Sequence, residues 1–131
     1  EASFLTKISF EDEHEIFKKL DEMCPGIAVM TKGGAGVVAS DGNYFYSALP
    51  DEGRKIVDTT GAGDSFASGF LSDYIRSEGD IEKAIQLGLA NSMANLSEIG
   101  AKKGILEKDA EFTRVKVLKQ LCSENNRCVI K

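Results

Sequence analysis

The chain has 131 residues, 42% hydrophobic and 28% charged, with a formal net charge of −5. That suffices for one compact domain with a real core, and the acidic balance argues against nucleic acid or an anionic membrane surface as the main partner. No apolar run reaches the length of a membrane span, and Cys24, Cys122 and Cys128 show neither metal-type spacing nor an even count, so reduced thiols in a cytoplasmic protein are expected.

Residues 1–8 carry no firm signal. Ser9 is placed to cap a helix from Phe10 to about Met23, with Glu11, Asp12 and Glu13 at its positive end and Phe10, Ile16, Phe17 and Leu20 as its apolar stripe. Pro25-Gly26 stops it. His14, the only histidine, sits among carboxylates and reads as a solvated helix residue. Ile27 to Thr31 is short and apolar, a buried strand. Lys32-Gly33-Gly34-Ala35-Gly36 is a flexible loop, which on its own residues reads as a plain hairpin connection. Val37 to Ser40 is a second strand, Asp41-Gly42 a hairpin turn, and Asn43 to Ala48 the partner strand.

After a polar loop from Pro50 to Lys55 comes an apolar pair, Ile56-Val57, and then Asp58-Thr59-Thr60-Gly61-Ala62-Gly63-Asp64. Gly61 and Gly63 let the backbone bend sharply and approach a ligand. A helix follows, from about Ala62 to Arg76, with Phe66, Phe70, Leu71, Tyr74 and Ile75 as its apolar side and Ser68-Gly69 as its slim point. Its first amides lack intrahelical partners and its dipole end is positive, a setting for phosphate. A carboxylate at Asp64 is costly there unless it has a task, and accepting the proton of an attacking hydroxyl is the natural one. Ser77-Glu78-Gly79 closes the helix. Asp80 caps another, from Ile81 to about Ile99, whose Ile81, Ala84, Ile85, Leu89, Met93 and Leu96 have core spacing. Gly100 to Gly104 ends it. Asp109 to Glu124 reads as a last helix through Phe112, Val115, Leu118 and Cys122, although the alternation from Phe112 to Val117 leaves a strand open. Cys128 to Ile130 suggests a short terminal strand.

The run from Asp58 to Leu71 resembles the second signature of the ribokinase-like (PfkB) carbohydrate kinases, Asp-Thr-x-Gly-Ala-Gly-Asp followed by a small-residue helix. The likeness extends from Ile27 to Gly104, and members are about twice as long. The resemblance implies a three-layer α/β fold, with this chain as the carboxyl-terminal, nucleotide-binding half in a single domain. It implies transfer of the γ-phosphoryl of ATP to a hydroxyl of a sugar, nucleoside or similar small alcohol. Asp64 would be the base, and the amides of Gly61, Ala62 and Gly63 an anion hole. Thr31, Gly33 and Gly36 match the family's Thr-x-Gly-x-x-Gly loop, which lies against nucleotide. Asn91 matches a position bordering adenine, set against a surface or capping amide. Magnesium would bridge the phosphates. Asp58 and Thr60 fall where the family holds a monovalent cation such as K+, with carbonyls from the 100–104 loop. Glu1-Ala2 could close the family's Asn-x-x-Glu motif.

On this view the sugar-binding and lid residues lie elsewhere, so the piece alone is expected to bind nucleotide weakly and turn over no sugar. Its uncovered apolar edge leaves room for self-association as a homodimer. The alternative is a non-catalytic nucleotide- or anion-binding module with Asp64 as a structural cap. A dinucleotide fingerprint fails because Phe66 stands where a third glycine is needed, and no Gly-Lys-Ser/Thr completes a Walker pattern.

Overall fold

The computed structural model describes residues 1–122 except 52 and 54. The chain divides into two compact units, Glu1–Ser47 with Leu118–Lys131, and Ala48–Val117.

Among its described residues the first unit holds the helices α1 (Ala2–Thr6) and α2 (Glu13–Met23) and a sheet of β1 (Ala28–Thr31), β2 (Val37–Ser40), β3 (Tyr44–Ala48) and β4 (Val117–Leu121) in that spatial order. β1 and β2 run antiparallel, with Thr31 opposite Val37 and Ala28 opposite Ser40. The turn into β3 is built by Asp41. Its Oδ1 accepts from the amides of Asn43 (2.9 Å) and Tyr44 (2.6 Å), its Oδ2 accepts from the Tyr46 hydroxyl (3.1 Å), and Gly42 takes a φ of 83°. An aspartate that caps its own turn beside a glycine is why this pair makes a hairpin. Ile16 and Phe17 of α2 are buried with Met30, Val38 and Phe45, and the Phe17 and Phe45 rings meet edge-on at 5.0 Å. Each such side chain contributes about 1.5–3 kcal/mol when taken out of water.

Three expectations change in this unit. α2 starts at Glu13, because Ser9 closes a separate turn, its carbonyl accepting from the Asp12 amide at 2.9 Å; Phe10 is left exposed and Ile8 packs on the core instead. The helix expected over Asp109–Glu124 does not form among the described residues. Residues 110–116 take no regular structure and β4 starts at Val117, at the end of the alternating stretch rather than within it, with the Cys122 amide donating to the Asn43 carbonyl at 2.7 Å just beyond the strand. Cys122 is disulfide-bonded while Cys24 is free, so reduced thiols do not hold at Cys122. The terminal strand expected at 128–130 lies outside the described residues.

The second unit is built on α3 (Ala62–Arg76) and α4 (Ile81–Leu96). The Asp80 carboxylate caps α4, accepting from the Lys83 amide at 3.0 Å. Two glycines set how closely the helices approach. A Cβ on Gly88 would lie 2.9 Å from the Phe66 ring, and one on Gly69 would lie 3.0 Å from the Leu87 carbonyl oxygen and from Asn91 Cβ. The expected core of α4 is buried at Ile81, Ala84, Ile85, Leu89 and Met93. On α3 the apolar side is narrower than expected. Phe66 is buried and stacks with Phe70, which stacks with Tyr74, each at 6.0 Å, whereas Leu71 and Ile75 face solvent. α4 ends at Leu96, and Ile99 is exposed.

Candidate active site

The signature begins as an anchored strand-like segment. The amides of Val57 and Asp58 both donate to the Leu96 carbonyl, at 2.8 and 3.3 Å, which ties the approach of the turn to the end of α4. The Asp58 carboxylate then organises the turn itself. Its Oδ1 accepts from the Thr60 amide (2.9 Å) and the Thr60 hydroxyl (2.8 Å), and its Oδ2 accepts from the Gly100 amide (2.8 Å). These bonds, the Thr60 amide first, lower its pKa below the ordinary aspartate value.

At Gly61 the backbone turns left-handed, with φ 82° and ψ 4°, and α3 starts at the next residue. An added Cβ there would lie 2.7 Å from both Cα and Cβ of Ala101, so any side chain is excluded twice, by conformation and by packing. Gly63 differs. Its φ is not positive, and a Cβ added to it would meet nothing within 4 Å. The chain's own packing does not require a glycine there, and helix propensity disfavours one by about 1 kcal/mol. Among the described residues the amides of Gly61, Gly63 and Asp64 have no acceptor, while the Ala62 amide leans on the Thr59 carbonyl at 3.4 Å. The open amide set is therefore Gly61, Gly63 and Asp64, displaced from the expected Gly61, Ala62 and Gly63. Asp64 is exposed, and its carboxylate has no hydrogen bond or ion pair with any described residue. It caps nothing. An unengaged acid beside unspent amides at a positive helix end is able to bind an anion and take a proton at one place.

Asn91, expected to border nucleotide, is 4% exposed and committed to protein. Its Nδ2 donates to the Ser65 carbonyl (2.7 Å) and its Oδ1 accepts from the Leu106 amide (2.8 Å). One turn on, Asn95 was missed in the sequence. Its Nδ2 donates to the carbonyls of Gly100 (3.0 Å) and Lys103 (2.9 Å), folding the 100–104 loop over the end of α4. A second asparagine four residues after the first, on a face otherwise apolar, was the available signal. Gly104 completes that loop at φ 71°, since a Cβ there would run into the Ala94 carbonyl.

Thr31, Gly33 and Gly36 belong to the first unit. Their loop is a tight 3-10 turn, Gly33–Ala35, rather than a slack connection. The Lys32 amide donates to the Gly36 carbonyl (2.8 Å), Gly33 and Gly36 have φ of 56° and 89°, and Lys32 pairs with Glu13 of α2 at 2.6 Å. Thr31, Gly33 and Gly34 are exposed.

For metals, no group of three or more His, Cys, Asp or Glu side chains is assembled among the described residues. The Asp58 and Thr60 side chains are bonded to one another, so a cation would have to draw on the remaining lone pairs of the Thr60 hydroxyl and on backbone carbonyls.

The model of the pfkB family of carbohydrate kinases matches residues 1–109. The chain belongs to this family. Among curated pfkB-like relatives, a cytidine kinase from Thermococcus kodakarensis is 40% identical over 75 residues, 56% of this chain and 27% of that protein. An ATP-dependent 6-phosphofructokinase from Thermoanaerobacterium thermosaccharolyticum is 34% identical over 108 residues, 74% of this chain and 32% of that protein. The crystal structure of a probable sugar kinase from Rhizobium etli superposes with a TM-score of 0.69 at 33% identity, covering 76% of this chain and 29% of that one. Ribokinase from Thermotoga maritima superposes with a TM-score of 0.69 at 24% identity, covering 80% of this chain and 36% of that one, which shows the ribokinase-like fold. The chain thus spans roughly a third or less of the length of these relatives.

Proposed function

We propose that these residues form the carboxyl-terminal, nucleotide-handling part of an ATP-dependent kinase whose acceptor is a hydroxyl of a sugar or nucleoside. The observation that carries this reading is the exposed, unengaged Asp64 beside the open amides of Gly61 and Gly63. The substrate hydroxyl gives its proton to the Asp64 carboxylate as its oxygen forms a bond to the γ-phosphorus. The bond from that phosphorus to the β,γ-bridging oxygen breaks, and ADP leaves with the electron pair. Amides aimed at the growing negative charge are worth about 3 kcal/mol each in such sites. The glycine turn at Gly33–Gly36 is assigned to the nucleotide. Magnesium would come with the nucleotide phosphates and offset their charge; among the described residues no carboxylate cluster is assembled to hold it. A monovalent cation such as K+ is assigned to the carbonyls around Asp58, Thr60 and the 100–104 loop. The names of the relatives support sugars and nucleosides equally as acceptors.

The test is phosphate transfer from labelled ATP to a panel of sugars and nucleosides, using a protein of the relatives' length that carries this segment. Transfer to at least one acceptor, lost in Asp64→Asn with nucleotide affinity retained, is the expected result. An unchanged rate in that variant would remove the reading.

A further inference from the structure

We infer that Asn91 is a positioning residue for the Asp64 turn and not a ligand of the nucleotide. The catalytic meaning of that turn rests on the kinase reading; the placement of Asn91 does not. Its amide has two N–H donors and one carbonyl acceptor. Nδ2 is 2.7 Å from the Ser65 carbonyl oxygen and 3.4 Å from the Ser68 hydroxyl, and Oδ1 receives the Leu106 amide at 2.8 Å. The network fixes which end is which. Turned over, the amide would set N–H against N–H at Leu106 and oxygen against oxygen at Ser65. At 4% exposure the side chain is closed to a ligand, and a ligand that took the place of either partner would strand a buried group.

The three groups held belong to the two sides of the site. Ser65 follows Asp64 directly, and its carbonyl lies in the first turn of α3. One turn later Gly69 has no room for a Cβ against Asn91 Cβ, so the backbone of α3 rests on the stem of the same side chain. A slip of one residue along the helix would rotate Asp64 by about 100°. Leu106 ends the segment that brings Ala101 under Gly61 and Gly100 onto Asp58. One buried amide therefore sets the helix that carries the acid and the loop that braces the turn. The Asn91 side chain thus ties α4 directly to the first turn of α3.

The experiment is amide hydrogen exchange and NMR on the 131-residue chain, without and with MgATP. In Asn91→Leu the Leu106 amide loses its acceptor, and its exchange should quicken about tenfold relative to Tyr74, the order expected from losing one local hydrogen bond. The resonances of Gly61 to Asp64 should move in the same variant. Leu89→Ala, a buried change on the same helix, should speed exchange evenly along α3. In the unaltered chain, which needs no variant to fold, the Asn91 side-chain N–H signals should be protected and unmoved by MgATP while Gly63 shifts. Equal acceleration at Leu106 and Tyr74 in Asn91→Leu, or an Asn91 amide that exchanges like a surface one, overturns the inference. If MgATP shifts nothing in this chain, the exchange pattern still decides the role of Asn91, while the kinase reading stands or falls on transfer by the longer protein.

Discussion

The Asp58 carboxylate holds the Gly100 amide at 2.8 Å, closing a loop of 42 residues on the residue that opens the phosphate turn. The same carboxylate binds the Thr60 amide and hydroxyl with its other oxygen. A change at Asp58 therefore reaches the turn and its brace together. In Asp58→Asn the Thr60 side is retained, but an NH2 group faces the Gly100 amide and that bond is lost. The folded-state pKa of Asp58 lies below its ordinary value, so its contribution is present above about pH 4 and is lost as pH falls through the depressed value. Urea melts of the two proteins should differ at neutral pH and converge on acidification. Parallel curves down to the acid limit would show that these bonds do not select the charged form.

The two glycines of the turn should separate in their response to alanine. Gly61→Ala must hold a left-handed φ and displace Ala101, and we expect a loss of about 2–4 kcal/mol in stability. Gly63→Ala enters open space in a helical position, so stability should stay level or rise by up to about 1 kcal/mol. Its cost should fall on MgATP affinity and on transfer. Denaturant melts beside calorimetric titration with MgATP distinguish them. A stable Gly63→Ala that binds MgATP as before would mean that nothing approaches the backbone there.

Asp64 can be tested against the plainest alternative, an acid that only complements the helix dipole. Asp64→Asn removes a charge from the first turn of α3, worth about 0.3–1 kcal/mol of stability. As a base, its loss should lower transfer by about 10²–10⁴-fold, with nucleotide affinity within a few-fold. A stability loss with unchanged turnover would assign Asp64 to the helix alone.

What could be read before the structure was whatever local chemistry decides. α3 runs from Ala62 to Arg76 and α4 starts at Ile81 on its Asp80 cap, as expected, because a glycine turn and a capping aspartate act within a few residues. The Asp41-Gly42 hairpin formed for the same reason. The stretch after Asp109 was ambiguous, since Phe112, Val115, Leu118 and Cys122 fit a helical stripe while Phe112 to Val117 also alternates. Pairing beside β3 settled it, with Lys119 lying 4.3 Å above the Tyr44 ring, a cross-strand contact no local pattern encodes. In the site, the spacing placed Gly61 at the turn and Asp64 in the first turn of α3, which is where they stand. Asn91 was placed correctly on its helix, but the direction and burial of an amide depend on which backbone passes beside it, here Ser65 and Leu106.

The ion pair between Lys32 and Glu13 anchors the glycine loop of the first unit to α2. The two groups lie 2.6 Å apart with side chains only 19% and 18% exposed, so removing one leaves the other partly buried and unpaired. Lys32→Met, which keeps the aliphatic stem, should cost about 1–3 kcal/mol for that reason. Glu13→Gln should cost less, because Gln can still accept from the ammonium. In the double variant no charge is stranded, and part of the loss should return. The coupling from the cycle should exceed about 0.5 kcal/mol, above what exposed helix pairs give, and should shrink only modestly at 1 M salt because the pair is shielded from solvent. If the pair orients the loop for nucleotide, the double variant should bind MgATP more weakly than its recovered stability suggests. Full recovery of both would make Lys32 and Glu13 a fastening of α2 to the sheet and nothing more.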